Sequence, residues 1–292
     1  MNPPFPRPGT GPALPLPEAS LLLVFLLLFS PCSSARALEL AAERRTPLDL
    51  EVSGLLPDGR TNAFIARAAL EALPRLVATN AHDLALNRPA VYSGVALDAL
   101  VAALGLPAGA EVVWAVCADG YVSHFTRADL AHQRPWLILE LDGAAPDAWP
   151  KAGSGVAMAP YYLALPAFTP RDTVAGIPES PKLPYAVSRL HFTDAAGLQR
   201  LEPPDPAPLV QAGAVLAKRE CLSCHNHFET GGVLSGRPWA LLATWAKIDP
   251  GYLRRYVRNP RQVQPASKMP GFPHYPDEAL DALAAYFKAF TP

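Results

Sequence analysis

Hydrophobic residues recur along this chain with two spacings, and the spacings mark different kinds of structure. In the first two thirds of the chain, alternating or short continuous apolar runs predict strands, at residues 48–52, 111–117, 136–141, 161–165 and 185–192. Steps of three and four residues between apolar positions predict helices there too, at residues 63–73 and 95–104. Strands mixed with helices indicate an α+β fold for this region.

A proline-rich segment separates that region from the rest of the chain. Four prolines lie within residues 202–208, and such a run cannot continue a helix and tends to stay extended. We therefore predict one domain over residues 38–202, a linker over 203–208 and a second domain over 209–292. The second domain begins with helical spacing, because Val210, Ala214 and Ala217 share one helix face.

A short apolar run near the N-terminus predicts export. Residues 21–29 are apolar without interruption, which is far short of the ~20 residues of a membrane span and typical of a secretory signal. The small residues Ala35 and Ala37 place cleavage after Ala37. We expect a periplasmic mature chain without a transmembrane helix. A retained short anchor and lipid attachment at Cys32 are the alternatives.

Composition and charge narrow the range of possible functions. The chain is 50% hydrophobic and 17% charged, which favours a folded core over disorder. The net charge of −1 gives no reason to expect nucleic-acid binding. Residues 38–206 hold 13 Lys/Arg and 19 Asp/Glu, whereas residues 207–292 hold 10 and 6. A basic C-terminal region can steer an acidic redox partner towards it.

The strongest chemical signal is Cys221-Leu-Ser-Cys224-His225, which has the C-x-x-C-H spacing of covalent c-type haem attachment. In this arrangement two thiols bind the porphyrin and the adjacent imidazole reaches the iron, so we predict one haem c. A redox disulfide is an alternative, but it requires a preceding strand within a βαβ unit. Half of a zinc site is another, and it requires a second Cys or His pair at ligand spacing.

The second axial ligand of the iron is predicted to be Met269, and the Pro270 and Gly271 that follow it indicate that it lies in a loop. A thioether is a soft ligand, and Met/His ligation raises the reduction potential of haem. The alternatives are His274, His227 and an open coordination position. We interpret His227 as a surface residue.

The segments around the motif resemble class I cytochromes c. Residues 212–216 are similar to their first helix, residues 249–260 to their middle helix and residues 276–288 to their last helix, which carries an apolar stripe. The resemblance implies an all-α domain that transfers electrons. It also implies that Gly213 lets Tyr286 pack closely, and that the carbonyl of Pro238 holds the imidazole of the proximal histidine.

Residues 47–193 resemble the molybdopterin-dependent oxidoreductase domain of the sulfite-oxidase type. The similar segments follow one another in the same order, at residues 50–54, 70–74, 92–97, 118–121 and 138–143. The resemblance implies a cysteine ligand to molybdenum between Pro74 and Tyr92, where this chain has none. Cys117 lies elsewhere and is interpreted as a small buried apolar residue. We therefore expect the domain to lack molybdopterin.

Together these observations predict an exported monohaem cytochrome that carries single electrons to or from a periplasmic redox protein. The N-terminal domain is then a docking or binding module, and the chain is an electron-transfer protein rather than a catalyst. The alternative is a molybdenum-type oxidoreductase that oxidises a small substrate and passes electrons to the haem. A ligand or redox sensor is a third hypothesis. His82 and Asp83 are interpreted as surface residues of a loop, not as a metal site.

Overall fold

The structure is a computed structural model that describes residues 37–153 and 155–291. The predicted apolar signal segment and Cys32 lie outside the described residues. Within the described part of the chain, no helix combines the length and the apolar character needed to cross a membrane.

Strands dominate the region before the proline-rich segment. They are β1 (Leu40–Ala41), β2 (Leu50–Gly54), β3 (Asn62–Ile65), β4 (Leu76–Asp83), β5 (Arg88–Ala96), β6 (Val112–Cys117), β7 (Val122–Thr126), β8 (Trp136–Leu141), β9 (Tyr162–Ala164), β10 (Thr173–Val174), β11 (Ile177–Pro178) and β12 (Val187–Thr193). The helices among them are α1 (Arg67–Glu71), α2 (Leu97–Leu104), α3 (Arg127–Gln133) and α4 (Ala196–Gln199). This mixture agrees with the predicted α+β class.

Two larger sheets organise this region, beside a two-stranded hairpin of β10 and β11. Among the described residues, six strands form one sheet in the order β1-β3-β2-β12-β6-β7, and four form another in the order β4-β5-β8-β9. β12 runs parallel to β2 and antiparallel to β6, so the last strand of the domain lies inside the first sheet. β7 lies at the edge of that sheet and leads into α3, where Thr126 and Asp129 form a capping box. The position of β7 at an edge leaves its outer side free for another segment of the chain.

The predicted helix at residues 63–73 is partly wrong. The structure has β3 up to Ile65, and the short helix α1 follows it. Ala63 pairs with Val52 and Ile65 pairs with Leu50 across the sheet, and all four side chains are fully buried. A short apolar run fits strand and helix spacing equally well, so the cross-strand partners decide the outcome.

Asp83 is also not the surface residue that the sequence predicted. It ends β4 and is fully buried. Its carboxylate accepts hydrogen bonds from the hydroxyl groups of Tyr92 and Tyr162 and, at 2.7 Å, from the backbone N–H of Leu86. The carboxylate therefore satisfies buried donors and holds the second sheet together. The neighbouring His82 is exposed, as expected.

The region after the proline-rich segment is mainly helical. It contains α5 (Pro208–Leu216), a π-helical turn (Ala217–Cys221), α6 (Trp239–Ile248), α7 (Pro250–Arg258), α8 (Pro260–Val263) and α9 (Asp277–Ala289), together with a small hairpin of β13 (Asn226–His227) and β14 (Thr230–Gly231). Apart from that hairpin, the all-α prediction for this region agrees with the structure.

The first and last of these helices cross at Gly213. A Cβ atom placed on Gly213 would lie 1.9 Å from the carbonyl oxygen of Ala282 and 2.7 Å from the Cβ of Tyr286. Only glycine permits so close an approach of α5 to α9. The Tyr286 hydroxyl donates to the carbonyl of Leu201 at 2.7 Å and accepts from the indole N–H of Trp239 at 3.1 Å. The predicted contact between Gly213 and Tyr286 is confirmed.

The two predicted domains share one apolar core. Trp114, Val122 and Ile177 of the mixed region belong to the same buried cluster as Leu222 and the inner faces of α5, α6, α7 and α9. Burial of apolar surface is the main stabilising contribution in folding and association. The C-terminal region is therefore packed against the N-terminal region through shared buried side chains.

Candidate haem-attachment site

The C-x-x-C-H segment forms a tight turn that begins at the end of the π-helical turn following α5. The π-helical turn ends at Cys221, whose carbonyl accepts hydrogen bonds from the N–H groups of Cys224 at 3.1 Å and His225 at 2.9 Å. Both cysteines are free thiols. The turn thus brings together two thiols and one imidazole from five consecutive residues.

The surroundings of the two thiols disfavour their thiolate forms. Burial raises the pKa of Cys221 to about 12 and the pKa of Cys224 to about 11. Cys221 is the last residue of the π-helical turn and Cys224 follows it, whereas reactive cysteines of disulfide oxidoreductases are found at helix N-termini, which lower the thiol pKa. This environment argues against the redox-disulfide alternative.

His225 is buried and held in one orientation. Its Nδ1 lies 2.7 Å from the carbonyl oxygen of Arg237 and 3.0 Å from the Oγ of Ser235. A carbonyl oxygen can only accept, so Nδ1 carries the hydrogen and Nε2 keeps its lone pair for a metal ion. Burial lowers the pKa of His225, which favours the neutral form that ligates metals.

The sequence misplaced the residue that fixes this imidazole. We predicted the carbonyl of Pro238, but the acceptor is the carbonyl of Arg237, one residue earlier. Pro238 instead precedes α6 as its N-cap residue. Every residue type carries a backbone carbonyl, so the sequence does not identify the acceptor. The backbone conformation in the structure does.

Met269 lies in a loop before α9, as predicted, and is half-buried against the C-terminal core. Its backbone N–H donates to the Oγ of Ser267 at 3.3 Å. Ser267 is hydrogen-bonded to the Tyr256 hydroxyl at 2.9 Å, and Tyr256 accepts from the Arg237 guanidinium at 2.7 Å. A continuous chain of contacts therefore links the segment that orients His225 to the loop that carries Met269.

Arg237 is the residue at which these contacts meet. Its carbonyl orients His225, and its guanidinium lies over the rings of Trp245 and Tyr256, 5.4 and 5.7 Å from their centroids. Sequence reasoning missed Arg237, Tyr256 and Ser267 as site residues. Their positions in the sequence were the only signal: Arg237 precedes Pro238, Tyr256 lies in the predicted middle helix, and Ser267 lies two residues before Met269.

His227 is buried, which corrects our interpretation of it as a surface residue. Its ring packs between Phe228 and Phe290, at centroid distances of 4.5 and 5.2 Å. The His227 ring thus packs the small hairpin against the end of α9. His274 is exposed, and its ring meets that of Tyr275 edge-on at 5.0 Å.

The turn between β6 and β7 packs directly on the haem motif. The N–H of Val122 donates to the carbonyl of Ser223 at 2.9 Å, so the motif is bonded to the free edge of the first sheet. Val233, which follows the motif, donates from its N–H to the carbonyl of Gly120 at 3.0 Å. A Cβ on Gly232 would lie 2.0 Å from the carbonyl oxygen of Ser223, so glycine permits this close packing.

The donors present fit a covalent haem better than a zinc ion. Haem c with His/Met ligation needs two thiols separated by two residues, an adjacent imidazole and a thioether. The chain has two such free thiols, an imidazole with Nε2 available and a thioether in a loop. A structural zinc site needs four such ligands close together. In residues 37–153 and 155–291, no three His, Cys, Asp or Glu side chains are grouped so as to hold a metal ion.

Comparisons with known proteins address the C-terminal region most directly. Residues 208–287 match the model of the family described as cytochrome C oxidase, cbb3-type, subunit III. This match identifies the helical region as similar to a cytochrome c domain, and such a domain indicates electron transfer. No curated protein matches the chain.

Among solved structures, the sulfane dehydrogenase SoxCD from Paracoccus pantotrophus is similar to part of the chain. The sequences are 18% identical and the TM-score is 0.36. The similarity covers 52% of this chain and 40% of that chain. The resemblance of residues 47–193 to sulfite-oxidase-type domains stays a prediction.

Proposed function

We propose that this chain is an exported cytochrome with one covalently bound haem c, and that it exchanges single electrons with a redox protein in the periplasm. The observation that carries the proposal is the geometry of His225. The hydrogen bond from its Nδ1 to the Arg237 carbonyl leaves Nε2 available, on the same turn as two free thiols. The match of residues 208–287 to a cytochrome family supports it.

In this proposal Cys221 and Cys224 hold the porphyrin through their sulfur atoms, and His225 and Met269 are the axial ligands. The haem, when bound, supplies an iron that changes reversibly between two oxidation states. The chain supplies orientation: the Arg237 carbonyl fixes the imidazole, and Ser267 and Tyr256 hold the loop of Met269. A thioether ligand favours the reduced state and raises the potential.

We further propose that the N-terminal domain is a rigid docking or binding module without molybdopterin. Support comes from the absence of a cysteine between Pro74 and Tyr92 and from the packing of Gly120 and Val122 on the haem motif. Export is supported by the apolar run at residues 21–29.

The axial ligand is tested by replacing Met269. We expect Met269→Ala to keep the haem attached but to abolish the weak sulfur-to-iron absorption band of the ferric protein. Met158→Leu is the matched control, because Met158 is fully buried in the N-terminal domain and its loss removes a methionine away from the site. A band that survives in Met269→Ala would contradict the assignment.

The absence of molybdenum is tested by elemental analysis of the purified mature protein. The proposal predicts one iron per chain and no stoichiometric molybdenum. Molybdenum in equal amount to iron would contradict it and favour the oxidoreductase alternative.

A further inference from the structure

Sheet edges in this protein are short or covered, with one exception among the described strands. β1 has two residues, and β9 has three, of which Leu163 donates from its N–H to the carbonyl of Pro184 at 2.9 Å. The edge of β7 is bonded to the haem motif through Val122 and Ser223. An edge strand has unpaired backbone groups that another strand can bind, and natural proteins shorten, charge or cover such edges. The exception is β4, which lies at the edge of the second sheet.

β4 is eight residues long and is paired on one side, with β5. In the described part of the chain, no backbone hydrogen bond joins residues 76–82 to a segment other than β5. In an antiparallel strand, alternate residues point their N–H and C=O groups away from the paired strand, so β4 presents such groups outwards. We call this outward row over residues 76–80 the β4 edge. None of residues 76–82 is Pro, Lys, Arg, Asp or Glu, the residue types that commonly protect an exposed edge.

The exposed side chains of β4 are suited to a sheet. Val77 is 70% exposed, and Thr79 is exposed as well. Thr79 lies directly opposite Val91 of β5, which is also exposed. The pairing of β4 with β5 is regular over residues 76–80, and its irregularity follows between residues 80 and 83. Five consecutive residues therefore form an intact edge, and its exposed side chains are β-branched, which favours strand pairing.

A second copy of the chain fits this edge by symmetry. If two β4 strands pair antiparallel about a two-fold axis at Ala78, Val77 of each copy lies opposite Thr79 of the other. Each Thr79 then lies between Val91 of its own chain and Val77 of the second copy. Cross-strand pairs of this kind stabilise sheets. The pairing occupies the β4 edge of both chains, so it closes at a dimer and does not propagate into a fibre.

Charge also favours a second copy over a charged partner. Residues 38–206 hold 19 acidic and 13 basic residues, so two copies repel each other unless they meet where charge is absent or balanced. The β4 edge carries no charge, and beside it Arg75 pairs with Glu140 at 3.2 Å and Arg88 with Asp142 at 2.7 Å. Identical copies therefore meet here without like charges opposite each other. A strongly acidic or basic peptide finds no charge on this edge that would select it.

We propose that the β4 edge is the interface at which two copies of this chain form a dimer. The four-stranded second sheet of each copy then continues into that of the other across the two-fold axis. The interface belongs to the N-terminal region, so the inference does not rest on the proposed electron-transfer function. Because a pairing of five residues from each strand is a small interface, we expect a reversible dimer with a dissociation constant on the order of 10 µM.

The test measures the molar mass of the haem-loaded mature chain by sedimentation equilibrium. We expect a change from monomer to dimer between about 1 and about 200 µM protein. Val77→Lys combined with Thr79→Lys places like charges opposite each other and should raise the dissociation constant at least about tenfold. The matched control is Leu209→Lys combined with Ile248→Lys, at two residues of the C-terminal region that are 45% and 77% exposed. The control adds the same charge and should dimerise as the unmodified chain does.

A mixture of oppositely charged variants tests the strand pairing itself. Val77→Glu combined with Thr79→Glu should dimerise as weakly as the lysine variant when each is measured alone. An equimolar mixture of the two variants should dimerise again, because opposite charges then face each other across the two-fold axis. Far-ultraviolet circular dichroism should match that of the unmodified chain in every variant, since the substituted side chains are exposed.

Three outcomes would overturn the proposal. The first is an unmodified chain that is still monomeric at about 200 µM. The second is a dimer that the lysine variant leaves intact, or a mixture of the two charged variants that stays monomeric. The third is a monomeric chain that binds a synthetic peptide of alternating Val and Thr and loses this binding in the lysine variant. That result would assign the β4 edge to a strand of another protein.

Discussion

Replacement of Gly213 by alanine tests the crossing of α5 and α9. The added Cβ would lie 1.9 Å from the Ala282 carbonyl oxygen and 2.7 Å from the Tyr286 Cβ. Non-bonded heavy atoms prefer separations of about 3.5–4.0 Å, so the helices must move apart by more than about 1 Å. The obstructing carbonyl belongs to the backbone and cannot rotate away as a side chain does.

The magnitude follows from two opposed contributions. Overpacking a core costs about 1–3 kcal/mol, and an obstruction by backbone atoms lies at the upper end of that range or above it. Alanine in place of glycine inside a helix contributes about 1 kcal/mol of stability. We therefore expect Gly213→Ala to lower the free energy of unfolding by about 2 kcal/mol.

The assay is guanidinium unfolding of the haem-loaded mature chain, followed by far-ultraviolet circular dichroism. Gly251→Ala on α7 is the control, because a Cβ there meets only side-chain atoms of Arg255 and Asp249, at 3.1 Å. The control should unfold at or slightly above the midpoint of the unmodified chain. A Gly213→Ala variant as stable as the unmodified chain would refute the close crossing.

Two other substitutions test the surroundings of the site. Tyr256→Phe removes the hydroxyl between Arg237 and Ser267; we expect a loss of about 1 kcal/mol of stability and, because the Met269 loop is loosened, about fivefold tighter binding of added imidazole to the ferric protein. Unchanged imidazole affinity, measured by spectral titration, would contradict this role. Burial lowers the pKa of His124 in the folded chain to about 4, from the usual value of about 6.5. As the pH falls from about 6.5 to about 4, the unfolded chain binds a proton at this residue and the folded chain does not, so the free energy of unfolding decreases. Between pH 7 and pH 5 the free energy of unfolding should fall by about 2 kcal/mol more in the unmodified chain than in His124→Phe, as measured by denaturant midpoints. Equal decreases in both proteins would show that His124 does not titrate in this way.

The elements that the sequence predicted well are those specified by local spacing. The last helix and the contact of Gly213 with Tyr286 follow from residues that repeat at helical intervals or match a family pattern. The helix predicted at 63–73 was wrong in its first part, because Ala63 pairs with Val52 and Ile65 with Leu50 across the sheet, which local spacing does not reveal.

The surroundings of the candidate site depend on contacts between distant segments. The burial of His227 comes from Phe290, more than sixty residues later in the chain, and Arg237 acts through its carbonyl as well as its guanidinium. Likewise, the contact of Val122 with Ser223 joins two predicted domains. None of these features leaves a signature in the order of residue types. The ligands themselves, Cys221, Cys224, His225 and Met269, remain predictions that the geometry supports.

The central claim is that a haem is covalently bound to Cys221 and Cys224. Its most direct test is the intact mass of the denatured mature chain, produced together with a c-type haem-attachment apparatus. The account predicts one species, heavier than residues 38–292 by the mass of one haem, and a Cys221→Ser, Cys224→Ser double variant without that increment. A chain of bare mass, or a haem released on denaturation, would contradict it.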